Sequence, residues 1–403
     1  MMKSGNPAAK RHCMVVHAFY PLAETRVQRE AEALLTHGYE VDVICLRGSR
    51  EPAAEQHRGV NVYRLPVQLT KRSFAFQMLN YVHFFVLAMI RLTQLHRRRR
   101  YTSIQVHNLP DFLVFCALIP RLQGVPVILD LHDLMPEFFA VRTGKTMSHW
   151  LVRLVTLQER LACRFAHRVI TVTELWRQSL IRRGVPAHKI GVVMNVADGR
   201  IFFRGPAPNA NGHANGHFHV LYHGSQTYRY GIDLILRAAD RLSSQIPELR
   251  LTIHGKGDFT DELMALARQL GLGDRVAFSD RFVPLDELLQ IIRAADVAVV
   301  PYRRDIFTDG ILPTKLMEYV AVGVPVIVSR TPAIESYFDE AMVEYFHAEN
   351  VDDLAACILK LYRDPQRRAA LVRNSNAFNR RFEWSRLSAE YAGLVASLAT
   401  RGR

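Results

Sequence analysis

Cysteine is scarce and scattered in this 403-residue chain: Cys13, Cys45, Cys116, Cys163 and Cys357 form no CxxC pair, and no Cys/His spacing suits a structural metal. Free, packed thiols in a reducing compartment are expected. No GxGxxG fingerprint stands at a strand-to-helix junction, which argues against a nicotinamide or flavin dehydrogenase. A DxD-type acidic pair is also missing from every plausible loop, so no metal requirement and no cofactor are expected. Zinc-finger spacing, an RNA-recognition signature and a basic helix with heptads are all lacking, so nucleic acid is not an expected partner. The polar start MMKSGNPAAKRH runs directly into CMVVHAF without a charged-then-apolar leader, and the cytoplasm is the expected location.

What is present is an ordinary globular balance, with 49% hydrophobic and 22% charged residues. At roughly 150 residues per domain, the length calls for two domains. The net charge of +14 attracts polyanions, which leaves an anionic membrane surface or phosphorylated substrates.

Strand-like and helix-like segments alternate. HCMVVHAF, a loop carrying Glu24 and Arg26, the amphipathic VQREAEALLTHG and EVDVICL form one βαβ unit over residues 12–46. TSIQVHN, the helix-like DFLVFCALIPRLQG, VPVILDLHD, a helix over about 148–166, RVITVT and ELWRQSLIRRG continue the pattern. Residues 205–217, GPAPNANGHANGH, have no apolar periodicity and read as a mobile loop at the domain junction. A second strand series then begins with HVLYHG, LRLTIHG, RVAFSDRF, VAVVPY and VPVIVS, again separated by helices. The fold class is therefore α/β, with parallel sheets covered on both faces. The expected active site is a cleft between the two halves, beyond the carboxyl ends of the strands.

Residues 309–329, DGILPTKLMEYVAVGVPVIVS, carry the most chemistry. Pro313 suits a first helical position and Gly323 the end of that helix. Amides of Leu312, Thr314 and Lys315 at the helix start would favour an anion, and Lys315 adds a full charge. Glu318 is one turn further along the same face, placed to accept hydrogen bonds from ribose hydroxyls. An ordinary helix with a surface Lys–Glu pair gives the same pattern. GKG at 255–257 is a turn where Gly255 lets backbone approach a base.

At this point the chain resembles glycosyltransferase family four, retaining enzymes of the GT-B fold, in the branch with PTK or PSK before the nucleotide-binding glutamate. The resemblance runs from HAFYPLAETRVQREAEALLTHGYEVDVICLRG through VHNLPDFLVF, LDLHDLMPEFF, KIGVVMN, YHGSQTYRYGIDLILRAADRL, LTIHGKGD and VPYR to PTKLMEYVAVGVPVIVSRTPAI. It implies two Rossmann-like domains: 1–200 on the acceptor side, joined by the C-terminal helix 384–403, and 201–383 for the nucleotide sugar. It implies that Glu318 binds the ribose, while Pro313, Thr314, Lys315 and the helix start receive the diphosphate of a UDP-, GDP- or similar sugar. Two departures stand out. The glutamate expected eight residues before Glu318 is Gly310, with Asp309 beside it. The Arg and Lys expected after the first strand of the second half are replaced in the loop that begins at Gly224 by Ser225 and Tyr230, leaving Arg229 and Lys315 to supply charge. These departures keep open a silent, nucleotide-sugar-binding or scaffold protein.

His132, after a buried-looking strand, matches the family's histidine near the reacting sugar carbon. Asp133 and Glu137 follow in the same loop and could orient it or act on the acceptor. His107 and Asp111 could line the same cleft, with Asp111 equally suited to a helix cap. Glu24 and Arg26 fall where family members approach the sugar and acceptor. The implied reaction moves a sugar to a glycan or lipid-linked acceptor in polysaccharide biosynthesis. Residues 74–101 combine large apolar residues with four arginines. Interrupted by Gln77, Asn80, His83 and Arg91, they read either as an amphipathic helix resting on the anionic inner face of the plasma membrane or as a core helix with a basic end.

Overall fold

Two parallel sheets account for the alternation, one in each of two units: Met1–Asn195 with Ser385–Arg403, and Val196–Trp384. The computed structural model describes residues 10–21, 25–67, 74–205, 216–279, 281 and 283–399, of which Phe74, Ala75 and Ala399 are described by backbone alone. Glu24 and residues 206–215 of the glycine- and asparagine-rich stretch lie outside the described residues.

The first unit's strands are β1 (Lys10–Phe19), β2 (Tyr39–Leu46), β3 (Ala54–His57), β4 (Val60–Leu65), β5 (Ser103–His107), β6 (Val127–Leu131), β7 (Arg168–Thr171) and β8 (Ile190–Val192). Its helices are α1 (Thr25–Thr36), α2 (Phe74–Arg99), α3 (Leu118–Leu122), α4 (Met135–Thr143), α5 (Trp150–Phe165) and α6 (Glu174–Arg182). The strand order is β3-β4-β2-β1-β5-β6-β7-β8, parallel except for the β3–β4 hairpin. Right-handed crossovers put α1 on one face and α2, α3, α5 and α6 on the other. The segment expected as one helix from Asp111 is instead a 3₁₀ stretch, Asp111–Ala117, followed by the short α3. Pro120 has no amide to bond back four residues, so a continuous ladder cannot form there.

The second unit contains β9 (Phe218–His223), β10 (Leu249–His254), β11 (Val276–Ser279), β12 (Val297–Val300), β13 (Val326–Ser329) and β14 (Glu344–Phe346) in the all-parallel order β11-β10-β9-β12-β13-β14. Its helices are α7 (Ile232–Arg241), α8 (Thr260–Gln269), α9 (Leu285–Arg293), α10 (Thr314–Val322), α11 (Pro332–Glu335), α12 (Val351–Arg363) and α13 (Pro365–Arg381). The last helix, α14 (Trp384–Ala399), belongs to the first unit from Ser385 onward.

Strand order reverses between β1 and β5 in the first sheet and between β9 and β12 in the second. A doubly wound sheet leaves a crevice at the carboxyl ends of such strands, because the flanking connections depart to opposite faces. Two Rossmann-like parallel-sheet units make this a GT-B fold.

Helix α2 is two-faced. Phe84, Ala88 and Leu92 are fully buried, whereas Leu79, Val82, Val86 and Ile90 are exposed. Residues 76–99 are long and apolar enough to cross a bilayer by length and composition, yet one side is packed into the unit.

Candidate active site

Asp130 lies inside β6, where every residue is buried, and His132 lies just past its end. Residues two apart on a strand share a face, so the acid and the histidine approach one another. His107, the last residue of β5, stands in register with Asp130. Its Nδ1 is 3.0 Å from Nε2 of His132. Oδ2 of Asp130 is 3.3 Å from that Nδ1 and 3.5 Å from that Nε2. The backbone N–H of His132 donates to Oδ1 of Asn108 at 2.8 Å. Nδ2 of Asn108 in turn donates to Oδ1 of Asp111 and to the carbonyl of Asp133.

Behind this cluster sits a guanidinium. Arg26 donates through Nε to Oδ2 of Asp130 at 3.1 Å and through Nη2 to Oδ1 at 3.0 Å, while Nη1 donates to the Val193 carbonyl at 2.8 Å. Nη2 is also 3.0 Å from Glu30. Gln105 donates to both Glu30 and Asp130 and accepts from the Tyr391 hydroxyl of α14. Burial alone would push the Asp130 carboxyl up, but Arg26 and then His132 outweigh it and hold it well below the carboxylate range. Burial moves Glu30 the other way, to about 8, despite Arg26. Desolvation lowers His107 to about 4. At neutral pH the cluster is therefore one guanidinium, one carboxylate and a neutral His107.

The 3.0 Å contact between Nδ1 of His107 and Nε2 of His132 is a hydrogen bond whose donor depends on the tautomer. Whichever nitrogen carries the proton, the bond engages Nε2 of His132 and fixes the orientation of that ring. His107, Asp130 and His132 also present ligand atoms within 4.8 Å of one another, a spacing that could hold an ion. Both Asp130 oxygens already accept from Arg26, however, and a divalent cation there would face that full positive charge.

Several residues stand elsewhere than the sequence suggested. Arg26 is not in a substrate-facing loop: the helix begins one residue earlier, at Thr25, and turns it inward onto Asp130. His107 is 0% exposed and supports His132 from behind. Asp111 is equally buried, is raised to about 7 by burial, and receives Asn108 instead of capping a helix amide. Glu137 faces Arg183, with Oε1 at 2.7 Å from Nη1, and Arg183 also reaches Glu159 at 2.8 Å. It ties α4, α5 and α6 together, so the orienting acid is Asp130. Asp133 is partly buried and contributes its carbonyl to Asn108.

In the second unit, α10 starts at Thr314 behind Pro313 with no side-chain cap; the Leu316 amide bonds back to the Pro313 carbonyl at 3.1 Å, while those of Thr314 and Lys315 have no partner within the helix. Thr314 is exposed at that start; Leu312, Pro313 and Gly310 are buried. Lys315 turns inward. Nζ donates to the Tyr222 hydroxyl at 2.6 Å and lies 4.0, 5.0 and 5.6 Å from the ring centroids of Tyr222, Tyr230 and Tyr302. Burial lowers its pKa to about 7, against the pull of Glu318. Gly224 has φ +112°, and a Cβ there would stand 2.9 Å from Nζ. At Gly255 (φ +122°) a Cβ would meet the Gly224 carbonyl at 2.2 Å, so both loops need glycine to lie together. Glu318 accepts or shares a proton with Nε2 of His223 at 2.8 Å. Tyr222 and His223, the last residues of β9, thus hold Lys315 and Glu318. Asp309 is clamped by Arg304 at 3.0 and 2.8 Å. Arg229 lies over the Phe307 ring at 5.3 Å, leaving the cationic place beside Tyr222 to Lys315.

A glycosyl transferase 4-like domain matches residues 23–195, and a glycosyl transferases group 1 domain matches 204–378. The chain is a group 1 glycosyltransferase. An uncharacterized glycosyltransferase of Methanocaldococcus jannaschii is 26% identical over 89% of this chain and 90% of its own length. Sucrose-phosphate synthase of Thermosynechococcus elongatus superposes with a TM-score of 0.77 at 20% identity, covering 97% of this chain and all of that one (100%). An Anabaena protein, HepE, solved with UDP-glucose, gives 0.71 at 17% identity over 96% of this chain and 99% of its own.

Asp130, Gln105, Asn108, Tyr222, His223, Tyr302 and Tyr391 escaped the sequence reading of this glycosyltransferase. Asp130 did leave a signal, as an acid within the otherwise apolar VILDL at the right period for His132. Arg26→Met should expose how much the buried network contributes. It leaves the buried Asp130 carboxylate without a counter-charge, a cost of about 3–5 kcal/mol. Thermal unfolding should shift down by roughly 10 °C. An unchanged transition would mean that Arg26 stabilises nothing.

Proposed function

We propose that this glycosyltransferase moves a sugar, with retention of configuration, from a UDP- or GDP-type nucleotide sugar to a glycan or lipid-linked acceptor at the cytoplasmic face of the membrane, in polysaccharide synthesis. The observation that carries the donor assignment is the uncapped start of α10, with Lys315 beneath it and Glu318 one turn on. The diphosphate would take the free amides and the Lys315 ammonium, and the ribose hydroxyls would donate to Glu318. A UDP-glucose complex of a protein with this fold supports a nucleotide-sugar donor.

His132 serves the sugar as the polar contact near the reacting carbon. Stabilisation of the leaving diphosphate by helix amides and Lys315 needs no metal ion. Its oxygens assist acceptor deprotonation, and no protein nucleophile is required. The exposed apolar stripe of α2, followed by Arg97, Arg98 and Arg100, suits an anionic leaflet and an acceptor held there.

The test is proton NMR of the enzyme with UDP-glucose or GDP-mannose in the presence of EDTA, reading the anomer first released to water or acceptor. Retention is expected. First release of the inverted anomer, or dependence on added metal, overturns the corresponding part. Tight nucleotide binding without any sugar release would favour the silent reading that Gly310 and the occupied Asp309 keep in view.

A further inference from the structure

At the amino-terminal edge of the first sheet, a pocket of about 550 Å³ opens between the ends of α3 and α5 and the starts of β6, β7 and β8. His132 belongs to the opposite edge, about 15 Å away along the five residues of β6. The charged lining is entirely cationic: Arg121, Arg164, Arg168 and Lys189, with His167 and His188 between them. Among the described residues no carboxylate lines it, and none of these four cations is paired with an acid.

Three of the four donate to backbone carbonyls. Nε of Arg121 donates to Phe165 at 2.8 Å, Nζ of Lys189 donates to Arg164 at 3.1 Å, and Arg168 donates to His188. A helix end offers about half a negative charge, far less than four cations require. The like charges press on one another: burial and then Arg121 and Lys189 lower His167, and Lys189 is itself lowered by burial and by Arg121 and Arg164. Nδ1 of His167 accepts the Val127 amide at 3.0 Å, which leaves Nε2–H as a donor.

We infer that this pocket is a phosphate-binding site that takes a phosphomonoester or diphosphate group. Such a group brings nearly two negative charges and several acceptor oxygens, and it would convert four repelling cations into charge-assisted donors. The surroundings are relevant to its source. Trp150, Leu154, Leu157 and Leu161 are exposed on α5 at spacings of four, three and four, and Arg164 continues that row into the pocket. Leu122, on α3 beside Arg121, is 71% exposed. A lipid headgroup and a soluble phosphate compound therefore share the recognition chemistry, and the two sources separate by experiment.

Pyrophosphate is titrated calorimetrically into the full chain, into the Arg164→Gln/Lys189→Gln variant, and into Lys315→Met. Affinity should fall at least tenfold in the double variant and persist in Lys315→Met, which separates this site from the donor site whatever the donor proves to be. Arg164→Gln alone, at an exposed position, repeats the test if the double variant folds poorly. In parallel, the protein is sedimented with phosphatidylcholine vesicles doped with phosphatidic acid. Sedimentation lost in the double variant assigns the site to a headgroup, whereas pyrophosphate binding without sedimentation assigns it to a soluble compound. Binding to neither probe, or equal binding by wild type and double variant, overturns the inference.

Discussion

His132→Ala should lower kcat about 100- to 1000-fold while nucleotide affinity stays unchanged, the effect expected when one pre-positioned polar contact to the reacting centre is removed. The specificity of the result lies in what does not change. Nucleotide binding is assigned to the second unit, so a variant just past β6 of the first should leave it intact. A matching loss of nucleotide affinity would remove His132 from its assigned role. Asp130→Asn provides the companion test. It keeps the shape but removes the charge that faces both histidines, and it should shift the pH dependence of kcat. It should also lower stability, because Arg26 loses its ionised partner.

Lys315→Met should weaken nucleotide binding roughly 100-fold, about 2.7 kcal/mol, and at the same time stabilise the ligand-free protein. The two effects share one cause. Lys315 is buried among Tyr222, Tyr230 and Tyr302, and its pKa falls from the ordinary lysine value of 10.5 to about 7. Between those values the unfolded chain holds one proton more than the folded one, so this group makes stability rise with pH from about 7 to about 10.5. Below pH 7 the wild type carries the full penalty, on the order of 5 kcal/mol for a shift of this size. The gain from methionine should be largest there and vanish by the upper end of the window. A bound diphosphate reverses the preference, favouring the charged ammonium. Near pH 8, binding should take up close to one proton, seen as dependence of the calorimetric enthalpy on the buffer, and affinity should fall as pH rises above 7. Absence of proton uptake, or its persistence in Lys315→Met, would place the titrating group elsewhere.

The architecture was legible because apolar periodicity and short loops leave few alternatives to parallel sheets. The start of α10 was legible for a similar reason: Pro313, Thr314, Lys315 and Glu318 are local in sequence. What stayed hidden depends on register between distant strands. Nothing local tells that His107 stands opposite Asp130, since that pairing follows from β5 lying beside β6. Arg26 read as a loop residue because the helix start is set by packing onto Asp130 and Glu30, more than 100 residues away in the first case. Lys315 was read as a charge at the helix start, but its burial stayed hidden for want of three tyrosines contributed by two other segments. Glu137 invited a catalytic role by proximity in sequence, yet α4 points it at Arg183.

The most direct test of the account is calorimetric titration of wild type and Glu318→Ala with UDP, GDP and ADP. The account predicts that one nucleoside diphosphate binds the wild type clearly and binds Glu318→Ala at least tenfold more weakly, a loss of about 1.4 kcal/mol or more for the ribose contact. Equal binding by the two proteins, or no measurable binding of any nucleotide to the wild type, would contradict the donor site at α10.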